Sequence, residues 1–142
     1  MRKFLPCLVF LFFILVIVAG ANAQVPPVAD SAVVKKKKTN PKIIYGTASF
    51  YANKFNGRKT ASGEIFSQQK MTAACNVLPL GTWIKVTNIR NGRSVIVKVN
   101  DRLHPKMKRV VDLSRTAAQK LNYISSGLTK VKVEVLGKKK PV

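Results

Sequence analysis

The chain has 142 residues, with 26 lysines and arginines against five acidic side chains, for a formal charge of +21. Two cysteines and one histidine are too few for a disulfide framework or a clustered metal centre. So large a cation excess implies an anionic partner, which inside a cell would by default be nucleic acid.

The first segment redirects that expectation. Met1-Arg2-Lys3 is basic, Phe4 to Ala19 is apolar apart from Pro6, and Gly20-Ala21-Asn22-Ala23 carries an A-x-A pattern. This is the order of a secretory signal peptide cleaved after Ala23. The alternative is a retained anchor, because the apolar block approaches the length that spans a bilayer. Export to a periplasm or cell envelope argues against nucleic acid and for anionic envelope polymers or lipid surfaces. No lipoprotein is expected, since Cys7 comes too early. The mature chain then keeps Cys75 alone, so no intrachain disulfide forms and a packed core must supply stability. Residues 24–42, with Pro26, Pro27, Lys35 to Lys38 and Pro41, have no period that could bury a face and read as a flexible linker. Their lysine run is either a solvated tether or a contact for an anionic polymer.

Residues 43–136 have the size of one small domain built of short strands. Tyr45 to Tyr51 is rich in aromatic and β-favouring residues, and a polar loop with Asn53, Asn56 and Gly57 follows it. In Thr60-Ala61-Ser62-Gly63-Glu64, Gly63 permits a tight turn and Glu64 lies in the loop. Met71 to Cys75 reads as a short strand of small residues, and Pro79 and Gly81 mark a turn. Trp83 to Ile89 places Ile84, Val86 and Asn88 on one face and Lys85 and Thr87 on the other. Asn91-Gly92 predicts a hairpin into Ser94 to Val99, since both central positions tolerate positive φ.

That second hairpin strand runs into Asn100-Asp101-Arg102. A carboxylate at the end of a rigid strand keeps a fixed direction, which makes Asp101 the centre of a predicted carbohydrate-facing groove. His104 falls in the next loop, at the groove rim. Val110-Val111 then leads to Asp112, read as structural beside a helix start, where Ser114 caps Thr116 and Ala117. Ala117, Ala118 and Leu121 form the apolar side of that helix, and Asn122 is a left-handed terminator. Leu128 to Leu136 alternates as a last strand, with Leu128, Val131, Val133 and Val135 inward. Residues 137–142 are expected to be a disordered basic tail. Of the aromatics, Tyr51 or Phe55 is expected near the groove and Trp83 at least half-buried.

Three stretches, YGTASFYANKFNGRKTASGE, MTAACNVLPLGTWIKVTNIRNGRSVIVKVNDR and RVVDLSRTAAQKL, together resemble the double-psi β-barrel domain of rare lipoprotein A-like proteins, a family related in fold to expansins and barwin-like domains. The resemblance covers about Tyr45 to Leu136. It implies a mainly β fold, a six-stranded double-psi barrel with one short helix. It also implies lytic transglycosylase activity on peptidoglycan, with no cofactor and with the chain acting as a monomer. Carried onto this sequence, Asp101 and Glu64 are the groove carboxylates, and Tyr51, Arg58, Thr60, Ser62, Cys75, Asn100, Arg102 and His104 surround the glycan. Where the family commonly has a histidine, this chain has Cys75.

In such chemistry one carboxylic acid suffices, with Asp101 the candidate and Glu64 positioning substrate or sharing the acid role; a Glu64/Asp101 pair would also serve a hydrolase. A general acid needs a raised pKa, which the surrounding cations oppose, so burial or a like charge has to prevail locally. The alternative from another class is a non-catalytic, expansin-like wall-binding module, with Arg58, Lys59 and Arg102 facing polymer carboxylates.

Overall fold

Alternation of apolar and polar residues builds the wall of a barrel. The computed structural model describes residues 40–142. The predicted signal peptide and the linker up to residue 39 lie outside the described residues. The strands are β1 (Ile43–Phe50), β2 (Thr72–Ala74), β3 (Trp83–Asn88), β4 (Ser94–Asp101), β5 (Val111–Leu113) and β6 (Thr129–Gly137), with one helix, α1 (Arg115–Lys120). They close in the order β1-β5-β2-β4-β3-β6. Two pairs are parallel, β1 with β5 and β2 with β4, and the other neighbours are antiparallel. This is the six-stranded double-psi barrel, mainly β with one short helix.

In the long strands every second residue enters the core. Ile84 and Val86 of β3, Val97 and Val99 of β4, and Val131 and Val133 of β6 are all fully buried. β-branched side chains suit this pleated, enclosed surface because their restricted χ1 loses little on packing. Asn88 shares the buried row and is satisfied there: its amide donates to the Leu121 carbonyl at 3.0 Å and its oxygen accepts from Thr129 at 2.8 Å. Helix α1 lies against β4 and β1 through Ala117 and Ala118, whose small side chains allow close approach. Gly46 in β1 has the same purpose, since a Cβ there would stand 2.8 Å from Val110. Among the described residues no helix is long and apolar enough to cross a membrane.

Several sequence expectations shift in detail. β1 begins two residues before the predicted Tyr45 and ends at Phe50, because Ile43 and Ile44 already pair with Glu134 and Val133. Leu128 does not turn inward. It is 49% exposed, since β6 starts at Thr129 and that threonine takes the first inward place. The β3–β4 hairpin forms, but only Gly92 is left-handed (φ 73°). Asn91 instead uses its side chain, donating to the Leu121 carbonyl and accepting from Arg93 N–H. Ser114 caps Ala117 alone, while the Thr116 N–H donates to the Gln68 carbonyl. Asn122 ends the helix in the left-handed region (φ 56°). The C-terminal residues are not a detached tail: Gly137 pairs with Trp83, Lys138 donates to the Leu80 carbonyl, and Lys140 lies over the Trp83 ring.

Candidate active site

β2 is short, and its last residue brings two aspartates together. Ala74 pairs with Asp101 of β4 on one side and with Asp112 of β5 on the other. Between Ala73 and Ala74 the register jumps, from Val99 directly to Asp101, so that Asn100 is bulged out of the ladder. A bulge re-aims the side chains beyond it. Here it buries Asn100 and leaves Asp101 half-exposed at the wall of a groove of ≈ 650 Å³. That volume suits a small organic ligand or one or two sugar rings.

Asp101 is held by three donors. Its Oδ1 accepts the backbone N–H of Ala61 at 2.8 Å and of Arg102 at 2.9 Å, and its Oδ2 accepts the Tyr51 hydroxyl at 2.6 Å. Two donors fill the two lone-pair directions of Oδ1, which leaves Oδ2 as the oxygen with a free acceptor position. Tyr51 stacks at 4.3 Å on Phe66 and meets Phe55 edge-on at 5.9 Å, so the aromatic wall of the groove also fixes the hydroxyl. Burial, then the bond to Asp101, pushes the Tyr51 phenol far above its ordinary range, so it remains a donor.

The opposite wall carries Asp112 and Arg109. Arg109 makes a bidentate pair with Asp112, at 2.8 and 3.0 Å, and the Ser49 hydroxyl donates to the same carboxylate. The hydrogen bond to Asp112 raises the Arg109 guanidinium further, so Arg109 stays a cation. Asp112 thus differs from its expected place at the helix start: its side chain is held by Arg109 and Ser49 rather than by the first N–H groups of α1, and it lies on a groove wall. Arg109 was not a sequence candidate, because nothing local marks a loop arginine as the partner of a residue three positions on.

Of the predicted site residues, Tyr51, Arg58, Asp101, Arg102 and His104 line the groove. Arg58 sits 5.4 Å from the centre of the Phe55 ring, and His104 is an exposed rim residue. Arg102 differs from its expected substrate-facing role in one respect: its Nη1 donates to the carbonyls of Cys75 and Leu78, tying the end of β2 to β4. Cys75 itself is a correction. Its side chain is 0% exposed within the core cluster and presents no thiol to the groove. A small apolar group is what that packed position accommodates.

Thr60, Ser62, Glu64 and Asn100 are likewise not on the groove lining. They form a connected cluster behind Asp101: Glu64 accepts from Lys98 at 2.8 Å and from the Asn100 amide at 2.9 Å, and Thr60 and Ser62 share a hydroxyl contact at 3.0 Å. The Lys98 bond first, and the Asn100 bond next, hold the Glu64 carboxyl below its usual range. Glu64 is therefore an ionised acceptor and a poor source of protons. Among the described residues no three His, Cys, Asp or Glu side chains gather as a metal site.

Comparison with known proteins sets this geometry in context. A family described as lytic transglycolase matches residues 43–133. An endolytic peptidoglycan transglycosylase RlpA of Pasteurella multocida is 52% identical over 91 residues, which is 64% of this chain and 31% of that protein. The protein of the same name from Neisseria meningitidis serogroup B is 46% identical over 99 residues, covering 68% of this chain and 41% of the relative. The chain thus spans roughly a third of the length of the curated relatives it matches. In structure it is similar to an expansin of Clavibacter michiganensis, with a TM-score of 0.55 at 21% identity, over 71% of this chain and 52% of that one. At that identity the likeness concerns the fold.

Proposed function

This chain belongs to the lytic transglycolase family, and on that premise we propose that its groove cleaves the β-1,4 bond from N-acetylmuramic acid to N-acetylglucosamine in peptidoglycan, leaving a 1,6-anhydro product, with Asp101 as general acid and base. The observation that carries it is the presentation of Asp101 in the lining of a sugar-sized groove: one carboxyl oxygen is saturated by backbone donors, and the other, among the described residues, accepts only the Tyr51 hydroxyl. Oδ2, the oxygen with a free position, is the atom through which the proton is transferred. As the bond from C1 to the leaving oxygen breaks, Oδ2 protonates that oxygen. The 6-hydroxyl of the muramic acid then bonds to C1 and returns its proton to Oδ2. No water is consumed, and the enzyme ends in its starting protonation state.

The supporting groups have separable duties. Tyr51 and Phe55, both partly exposed, offer ring surface against which a pyranose packs, with the buried Phe66 backing Tyr51. Arg58, Lys59 and Arg102 place cations around the lactyl and peptide carboxylates of the polymer. The high net charge adds long-range attraction that weakens with salt. Such a substrate places the reaction in the cell envelope, the destination the signal-like leader suggests.

The test is product analysis. Wild-type protein incubated with purified peptidoglycan is expected to release 1,6-anhydro-muropeptides detectable by mass spectrometry. Asp101→Asn should lower that release about 10²- to 10⁴-fold, the usual worth of a positioned proton donor, while still sedimenting with sacculi. Binding without anhydro product from the wild type would favour the expansin-like binding module, and reducing-end products would indicate a hydrolase.

A further inference from the structure

The loop at residues 60–64 closes on itself. Thr60 N–H donates to the Glu64 carbonyl at 2.8 Å and Gly63 N–H to the Thr60 carbonyl at 2.9 Å, with Gly63 in the left-handed region (φ 89°). Those bonds shape the loop but do not aim it. Aim comes from β4: Ser62 N–H donates to the Asn100 carbonyl at 3.0 Å, Lys98 Nζ to Glu64 Oε1 at 2.8 Å, and the Asn100 amide to Glu64 Oε2 at 2.9 Å. Among the described residues, the bond from this loop to the groove is Ala61 N–H to Asp101 Oδ1, at 2.8 Å.

We propose that Lys98 and Glu64 form a positioning clamp that holds the Ala61 N–H on Oδ1 of Asp101, reserving Oδ2 for the transferred proton. The clamp rests on the assignment of Asp101 as the acid and base. Glu64 is then a positioning residue and not a second catalytic carboxylate. Three observations support this. Glu64 does not line the groove. Its two oxygens are each occupied by a donor from β4. The ion pair is also about a third exposed at each partner, 36% for Lys98 and 38% for Glu64, where solvent screening leaves little contribution to stability. An ion pair of small stabilising value, anchored on the strand that ends at the reacting group, is most simply a device of orientation.

The test uses the full chain and three variants, Lys98→Met, Glu64→Gln and the two combined, with two measurements. In kinetics of anhydro-product release, each single variant should lower kcat by about 10-fold with KM within about twofold, the scale on which a slightly misplaced group costs rate. The double variant should be no slower than the slower single one, as expected for two parts of one device. In the amide NMR spectrum, the Ala61 proton should move upfield in all three variants as its bond to the carboxylate lengthens, and Lys98→Arg should restore both signal and rate. If Glu64→Gln abolishes kcat while Lys98→Met matches wild type, Glu64 takes part in the chemistry and the clamp is wrong. Additive losses, or an Ala61 resonance indifferent to both changes, would also overturn it. Should the wild type release no anhydro product, the proposed reaction fails, and the Ala61 resonance still decides for or against the clamp.

Discussion

β3 and β6 pair from Trp83 through Asn88 and set buried valines against outward lysines, whereas β2 and β5 are three residues each, β2 ending between the two aspartates and β5 carrying one of them. The long antiparallel wall of β1, β6, β3 and β4 separates its tasks: inward residues pack, outward residues meet solvent. The short strands cannot separate them. Ala74 pairs with both Asp101 and Asp112, and Leu113 pairs with Phe50 and Ala73 while its carbonyl accepts the Tyr51 N–H at 3.0 Å. In this half of the barrel, packing and site geometry depend on the same residues.

The largest expected effect tests that difference directly. Leu113→Ala, at a fully buried position, should cost about 2–5 kcal/mol in urea unfolding. In the fraction still folded it should also lower kcat, because Tyr51 hangs from the same residue. Val133→Ala in the long wall should cost about 2 kcal/mol from lost packing, with kcat and KM unchanged. Equal kinetic consequences from the two variants would break the distinction between the halves.

Next in size is Asp112→Asn. It leaves the partly buried Arg109 without its bidentate partner and should cost about 1–2 kcal/mol by thermal unfolding. A smaller and pH-dependent effect belongs to Glu64. Its folded carboxyl lies below the ordinary value, so its stabilisation is complete above about pH 4.5 and is lost as pH falls through the folded value. Wild type should therefore exceed Glu64→Gln by less than about 1 kcal/mol at pH 7, with the gap closing in more acidic urea titrations. A gap that widened on acidification would contradict the ion pair. The smallest change expected is at Ile96 on the outer wall, where Ile96→Thr should stay within about 0.5 kcal/mol of wild type.

How legible each part was in the sequence follows from the same contrast. The alternation in Trp83 to Asn88 and in the valines of β4 and β6 located the long strands to within a residue or two, because a strand's facing pattern is a local property. The helix announced itself through Ser114 and Asn122 for the same reason. Asp101 stood out as the end of an alternating strand. Cys75 was misplaced because its site role came only with the resemblance, whereas its burial depends on core elements distant in the chain. Glu64 was placed in the correct loop with the wrong orientation, since its partner Lys98 lies 34 residues away and nothing local links them.

The amino-acid order by itself determined where the chain alternates, turns and caps, and which carboxylate ends a strand, since these depend on neighbours within a few residues. Only the closed barrel decided that β5 runs beside β1 and β2, that a bulge at Asn100 turns Asp101 toward a groove, and that Arg109 and Asp112 face it. Those outcomes join segments up to 63 residues apart, as between Ser49 and Asp112, and are set by which arrangement of strands buries the core valines while pairing the strands' backbone groups.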